Sequence, residues 1–106
     1  MLEKLKQVEE RYSEIEAKLA ESAFYADPSV SRALFQEQSR LRPIIETYRA
    51  YLQTQSDVSE TRAFLDDPEL HEMAAEELRA FLDKQTALEN ELRLLLLPRR
   101  TYLLQN

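Results

Sequence analysis

None of the 106 residues in this chain is glycine, and that absence restricts the fold more than any residue that is present. Glycine alone adopts positive φ at no steric cost, so phosphate-cradling glycine loops and every motif built on a glycine turn are excluded. Punctuation comes instead from a repeated dipeptide. Asp27-Pro28 and Asp67-Pro68 each place a carboxylate that accepts from free backbone N–H groups before a proline. At the first helical position that proline gives up no hydrogen bond it would have made. Asp66 and Glu69 add negative charge at the positive end of a helix dipole.

Between these signals the apolar residues recur at helical spacing. Leu2, Leu5, Val8, Tyr12, Ile15 and Leu19 form one stripe, which predicts a first helix ending near Glu21. Leu34, Gln38, Leu41, Ile45, Tyr48, Leu52, Gln55, Arg62 and Leu65 give a heptad-like register over residues 28–65, polar in its later half. Pro43 falls inside that stretch and lacks the N–H that would bond the Ser39 carbonyl, yet the register survives it, which predicts one kinked helix rather than two. A third stripe, Leu70, Met73, Ala74, Leu78, Phe81, Gln85, Leu88, Leu92 and Leu95, predicts a helix over residues 68–97. Glu14–Lys18 and Glu89–Arg93 are i,i+4 pairs on the outer faces.

The predicted fold is all-α, a three-helix up-down-up antiparallel bundle in one domain. At ~1.5 Å per residue the first helix is too short to cover the other two. Helices two and three therefore extend past it as a coiled-coil-like hairpin over residues 51–80, joined by a two-residue corner at Asp66-Asp67. Leu94 to Leu97 point all round a helix, so one buried stripe cannot cover them. Phe24, Tyr25, Leu34 and Phe35 are the expected cover, with the outermost leucines left facing water and open to a second copy or to further chain.

Several chemistries fall away on composition. The chain has no cysteine, hence no disulfide, thiol nucleophile or thiolate metal site, and its net charge is -6. Cysteine usage and the absence of an apolar leader or membrane-length run favour a cytoplasmic setting without a membrane. Twenty acids against fourteen Lys and Arg argue against direct nucleic-acid readout. His71 is the single histidine and reads as an exposed residue in a first helical turn rather than a metal ligand or catalytic base. The tyrosines read as core, and the acids of the third helix as a solvated face. No enzyme, cofactor or metal is expected.

Three stretches carry a resemblance: Met1-Leu2-Glu3-Lys4-Leu5 with Val8 to Tyr12; Leu41-Arg42-Pro43-Ile44-Ile45-Glu46-Thr47-Tyr48-Arg49; and Leu65 to Ala74, followed by Glu76-Glu77-Leu78 and Leu94 to Pro98. Over residues 1–98 the chain resembles the N-terminal helical domain of the bacterial peptide chain release factor 1 family, and residues 99–106 read as a tail or truncation point. The resemblance implies a part in translation termination. It also implies a non-catalytic domain that docks toward the stalk base of the large ribosomal subunit and a class II release factor GTPase. The family's Gly-Gly-Gln and Pro-x-Thr motifs are not in this sequence. Asp66, Asp67, Glu69 and Glu72 are the expected partner-binding residues. The alternative is a self-associating coiled-coil scaffold or adaptor unrelated to translation, and the isolated chain could pair as a homodimer through its apolar seam.

Overall fold

A computed structural model describes residues 1–21 and 26–98 of the chain. The fold is all-α as predicted, with α1 (Leu2–Leu19), α2 (Pro28–Arg62) and α3 (His71–Leu95), and no strand among the described residues. Phe24, Tyr25 and the tail from residue 99 lie outside the described residues. The chain divides into two compact units, Met1–Glu46 and Thr47–Asn106. Helix α2 contributes its first half to one and its second half to the other.

The lack of glycine is visible at the helix ends. No described residue has positive φ. The residues capping the C-termini of α1 and α3, Ala20 and Leu96, keep right-handed helical angles. Each directs its N–H to a carbonyl of the last turn, Ala20 to Glu16 at 3.1 Å and Leu96 to Leu92 at 3.0 Å. The residue after each bonds only three back, Glu21 N–H to the Lys18 carbonyl at 3.1 Å and Leu97 N–H to that of Leu94 at 3.2 Å, so tightened final turns replace the left-handed cap that glycine would provide. At the start of α2, Asp27 works as the sequence predicts: its carboxylate accepts from the Ser29 N–H at 3.1 Å and from the Ser29 hydroxyl at 2.8 Å. Those two bonds, the hydroxyl first, hold its pKa below the ordinary aspartate value.

In the first unit α1 packs antiparallel to the N-terminal half of α2. Ile15, Leu19 and Leu34 form a buried cluster with Leu41 against it, and Leu5, Tyr12, Ile44 and Ile45 are buried as well. The α1 stripe is therefore the predicted one, apart from the exposed Leu2. Beside the cluster Arg11 donates from two guanidinium nitrogens to both Glu37 oxygens, the Nη2 contact at 2.7 Å. The Arg11 hydrogen bond holds the Glu37 carboxyl below the usual glutamate range, against the opposing effect of desolvation.

A carboxylate with a depressed folded pKa contributes stability well above the unfolded value of about 4.3 and loses it as pH falls through the folded value. Both partners remain partly exposed, so the pair contributes only about 0.5–1 kcal/mol. Glu37→Gln is expected to lose that amount near neutral pH. Urea midpoints measured across pH should show wild type and variant converging on the acid side. A gap that persisted in acid would show that the charge of Glu37 does not carry the effect.

In the second unit the later half of α2 pairs antiparallel with α3, as the predicted hairpin requires. Thr47 donates to Glu91 at 3.5 Å, and the Tyr51 hydroxyl to Glu89 at 3.0 Å. The α3 stripe follows the prediction: Ala74 and Leu92 are buried, and Leu78, Phe81, Gln85, Leu88 and Leu95 are half-buried. Met73 is the exception.

The α2 register differs from the predicted one. Thr47, Thr54, Val58 and Thr61 are buried and Tyr51 and Leu65 half-buried, whereas Leu52, Gln55 and Arg62 are exposed. The seam has moved one residue toward the N-terminus relative to Tyr48, Leu52, Gln55 and Arg62. Ile44, Ile45 and Thr47, all buried within four positions, mark the hand-over. Threonines can line this seam because their hydroxyls are satisfied: Thr47 donates to Glu91 on α3, while Thr54 donates to the Ala50 carbonyl at 2.8 Å and Thr61 to that of Asp57 at 2.7 Å. Bonded to the preceding turn of its own helix, each of the latter two presents a methyl group to the partner helix. Pro43 lies inside one continuous α2, as predicted.

Candidate functional site

The turn that links α2 to α3 is longer than the predicted two residues. Helix α2 ends at Arg62 and α3 begins at His71. Between them the backbone tightens into i→i+3 bonds. Ala63, Phe64 and Leu65 donate to Glu60, Thr61 and Arg62, and Asp67 donates to Phe64, at 3.1–3.2 Å. The Asp67-Pro68 signal is built as expected, with Asp67 Oδ1 accepting from the Glu69 N–H at 2.9 Å. It caps a short turn that closes with Leu70 N–H to the Asp67 carbonyl at 3.1 Å. The α-helical ladder starts one turn later, from Ala74 N–H to the Leu70 carbonyl at 2.8 Å. Proline at 68 suits this tight turn as well as it suits a first helical turn, so the sequence signal marks the place but not the exact bond pattern.

His71 holds this turn shut. Its Nδ1 lies 2.7 Å from the Leu65 carbonyl oxygen. A carbonyl can only accept, so Nδ1 carries the proton in this contact. The exposed position of the imidazole agrees with the sequence reading, and the bond to Leu65 adds a structural role that spacing could not reveal. No group of three His, Asp or Glu among the described residues is placed to hold a metal ion.

Asp66, Asp67, Glu69 and Glu72 are all exposed on this turn and on the first turn of α3. Asp67 is occupied as a cap, so its free capacity is one carboxylate oxygen. Beside the acids, and unmarked by the sequence reading, stand two exposed apolar side chains. Phe64 is 51% accessible and Met73, predicted as core, is 55% accessible. Together with Leu70, Ala74 and Glu77 they line one depression of about 150 Å³. The signal available in the sequence was Phe64 itself, a large apolar residue off the seam beside a pair of aspartates.

Among the described residues no helix is long and apolar enough to cross a membrane.

Comparison with known proteins gives this arrangement a family. The chain is 42% identical over 99 residues to peptide chain release factor 1 of Geotalea uraniireducens, covering 93% of the chain and 28% of the relative. It is 41% identical over 99 residues to peptide chain release factor 1 of Geobacter sulfurreducens, with the same coverage. The same protein of Campylobacter curvus is 41% identical over 97 residues, 92% of the chain and 27% of the relative. The chain thus spans a little over a quarter of the length of these curated relatives. Residues 8–105 match the PCRF domain, and by that match the chain belongs to the PCRF domain family.

Proposed function

We propose that this chain is the helical, non-catalytic interaction domain of a translation termination factor. In that role it docks toward the stalk base of the large ribosomal subunit and a class II release factor GTPase. One observation carries the reading: the family match, together with 41–42% identity to peptide chain release factor 1 over nearly the whole chain. The exposed acids of the α2–α3 turn support it, since a net charge of -6 steers such a surface toward basic partners and away from bare phosphate backbones.

Association of the chain with purified large ribosomal subunits, and separately with the class II GTPase, tests the reading. The combined variant Asp66→Asn, Asp67→Asn, Glu69→Gln and Glu72→Gln keeps an oxygen acceptor at the cap and removes four charges. It is expected to slow association about tenfold at low ionic strength and much less at high salt, because rim charges act mainly on the on-rate. Wild-type chain that bound neither partner at low salt would defeat the proposal. A variant that associated as fast as wild type would remove these four residues from it.

A further inference from the structure

We propose that the apolar notch at the α2–α3 turn is a docking site for a basic amphipathic protein segment. Such a segment places one large apolar side chain between Phe64 and Met73 and sets its lysines or arginines against the surrounding carboxylates. The inference deepens the docking reading above, and rests on it for the expectation of a protein partner.

The notch is built by two neighbouring pieces of the second unit. Phe64 comes from the tightened turn after α2, and Leu70, Met73, Ala74 and Glu77 follow the i, i+3, i+4, i+7 spacing of one helical face at the start of α3. Ala74 is buried at the floor, and its single methyl leaves the depression that a longer side chain would fill. Phe64 and Met73 form the walls and are each about half accessible to water. At about 150 Å³ the space is well below the ~300–1,000 Å³ of a small-molecule pocket, and on the scale of one inserted side chain.

Charge around the notch selects the occupant. Glu77 lines the notch itself, and Asp66, Asp67 and Glu69 stand exposed on the turn that carries its Phe64 wall, whereas Glu72 and Glu76 line a separate depression of the α3 surface with Arg79. An acidic partner or an RNA backbone would be repelled here, and a purely apolar one would leave these charges facing unpaired desolvation. A cationic segment with a single apolar anchor meets both features. The anchor would carry most of the affinity and the charges the encounter rate.

Fluorescence anisotropy of the full chain with three labelled peptides tests this. The probes are a short lysine-leucine amphipathic helix, the same peptide with serine for leucine, and the same peptide with glutamate for lysine. The first is expected to bind in a salt-dependent manner, the second at least about tenfold more weakly, and the third not at all. Phe64→Ser and Met73→Ser are each expected to weaken the first peptide about tenfold and to leave the second unaffected. Glu77→Lys leaves the apolar walls in place and should weaken the first peptide as well. Circular dichroism and the backbone amide spectrum of α1 report that each variant is folded.

Equal binding of the lysine-leucine and lysine-serine peptides overturns the notch, because the affinity would then be charge alone. Binding indifferent to Phe64 and Met73 overturns it too. The peptide assay contains no ribosome, so the two readings fail separately: a chain that docks on large subunits while ignoring Phe64 and Met73 keeps the proposed function and loses the notch.

Discussion

Ile15→Ala lowers the unfolding free energy by about 3 kcal/mol, within the 2–5 kcal/mol that isoleucine-to-alanine truncations cost in closed cores. Ile15 is completely inaccessible to solvent and packs in the cluster with Leu19, Leu34 and Leu41. Removing three carbons there loses their transfer free energy and leaves a cavity that two rigid helices cannot collapse. Total stability of a small domain is about 5–15 kcal/mol, so this one change takes away a large fraction. At about 4–8 °C per kcal/mol for a domain of this size, the melting midpoint falls by roughly 12–24 °C. Leu2→Ala is the control, since Leu2 starts the same stripe but lies exposed; it should change stability by less than about 0.5 kcal/mol. Urea titrations of both variants decide the matter, and a loss at Ile15 below about 1 kcal/mol would mean that this cluster is not where α1 is held.

The contrast between Ile15 and Leu2 also shows what the sequence disclosed and what it withheld. A stripe of apolar residues identifies the buried face of α1, because leucine, isoleucine and tyrosine there have no polar competitor. Along α2 the same reading misplaces the seam after Pro43. The heptad-like register, carried on from Tyr48, runs through Leu52, Gln55 and Arg62 and passes over Thr54 and Thr61, whose polarity gives no reason to correct it. The structure buries Thr54 to 1% accessibility and leaves Leu52 at 43%. Hydropathy assigns threonine the cost of an unbonded hydroxyl. Inside a helix that cost vanishes once the hydroxyl donates to the carbonyl four residues back. No scale applied residue by residue contains that bond. The candidate surface was half legible for a related reason: the exposed acids follow from composition and capping, but Met73 on the predicted stripe and Phe64 off it need the real geometry of the turn to be seen as one patch.

Pro43→Ala raises stability by about 2 kcal/mol. A proline in a helix interior costs about 3 kcal/mol, from the hydrogen bond it cannot donate and from the clash of its ring with the preceding turn. Against that, alanine frees the unfolded chain at this site, which returns about 0.4–1 kcal/mol to the unfolded state. Pro43 is exposed, so the substitution removes little packing, and the Ser39 carbonyl regains its intrahelical donor. Glycine at 43 restores the same donor but carries its own penalty of about 1 kcal/mol in a helix, so Pro43→Gly should gain less than Pro43→Ala. Thermal unfolding of the three proteins gives the order Ala, Gly, Pro from most to least stable. The reverse order would point to a different role for the ring. Pro43 sits where the buried seam of α2 passes from Leu41 through Ile44 and Ile45 to Thr47 and slips by one residue. If the local distortion at proline produces that slip, straightening the helix would turn Leu52 and Gln55 inward in place of Thr54. The hairpin would then lose more in the seam than it gained in one hydrogen bond. A fall in stability on Pro43→Ala, with Thr54 amide exchange accelerated, would establish the proline as the device that sets the register of the second unit.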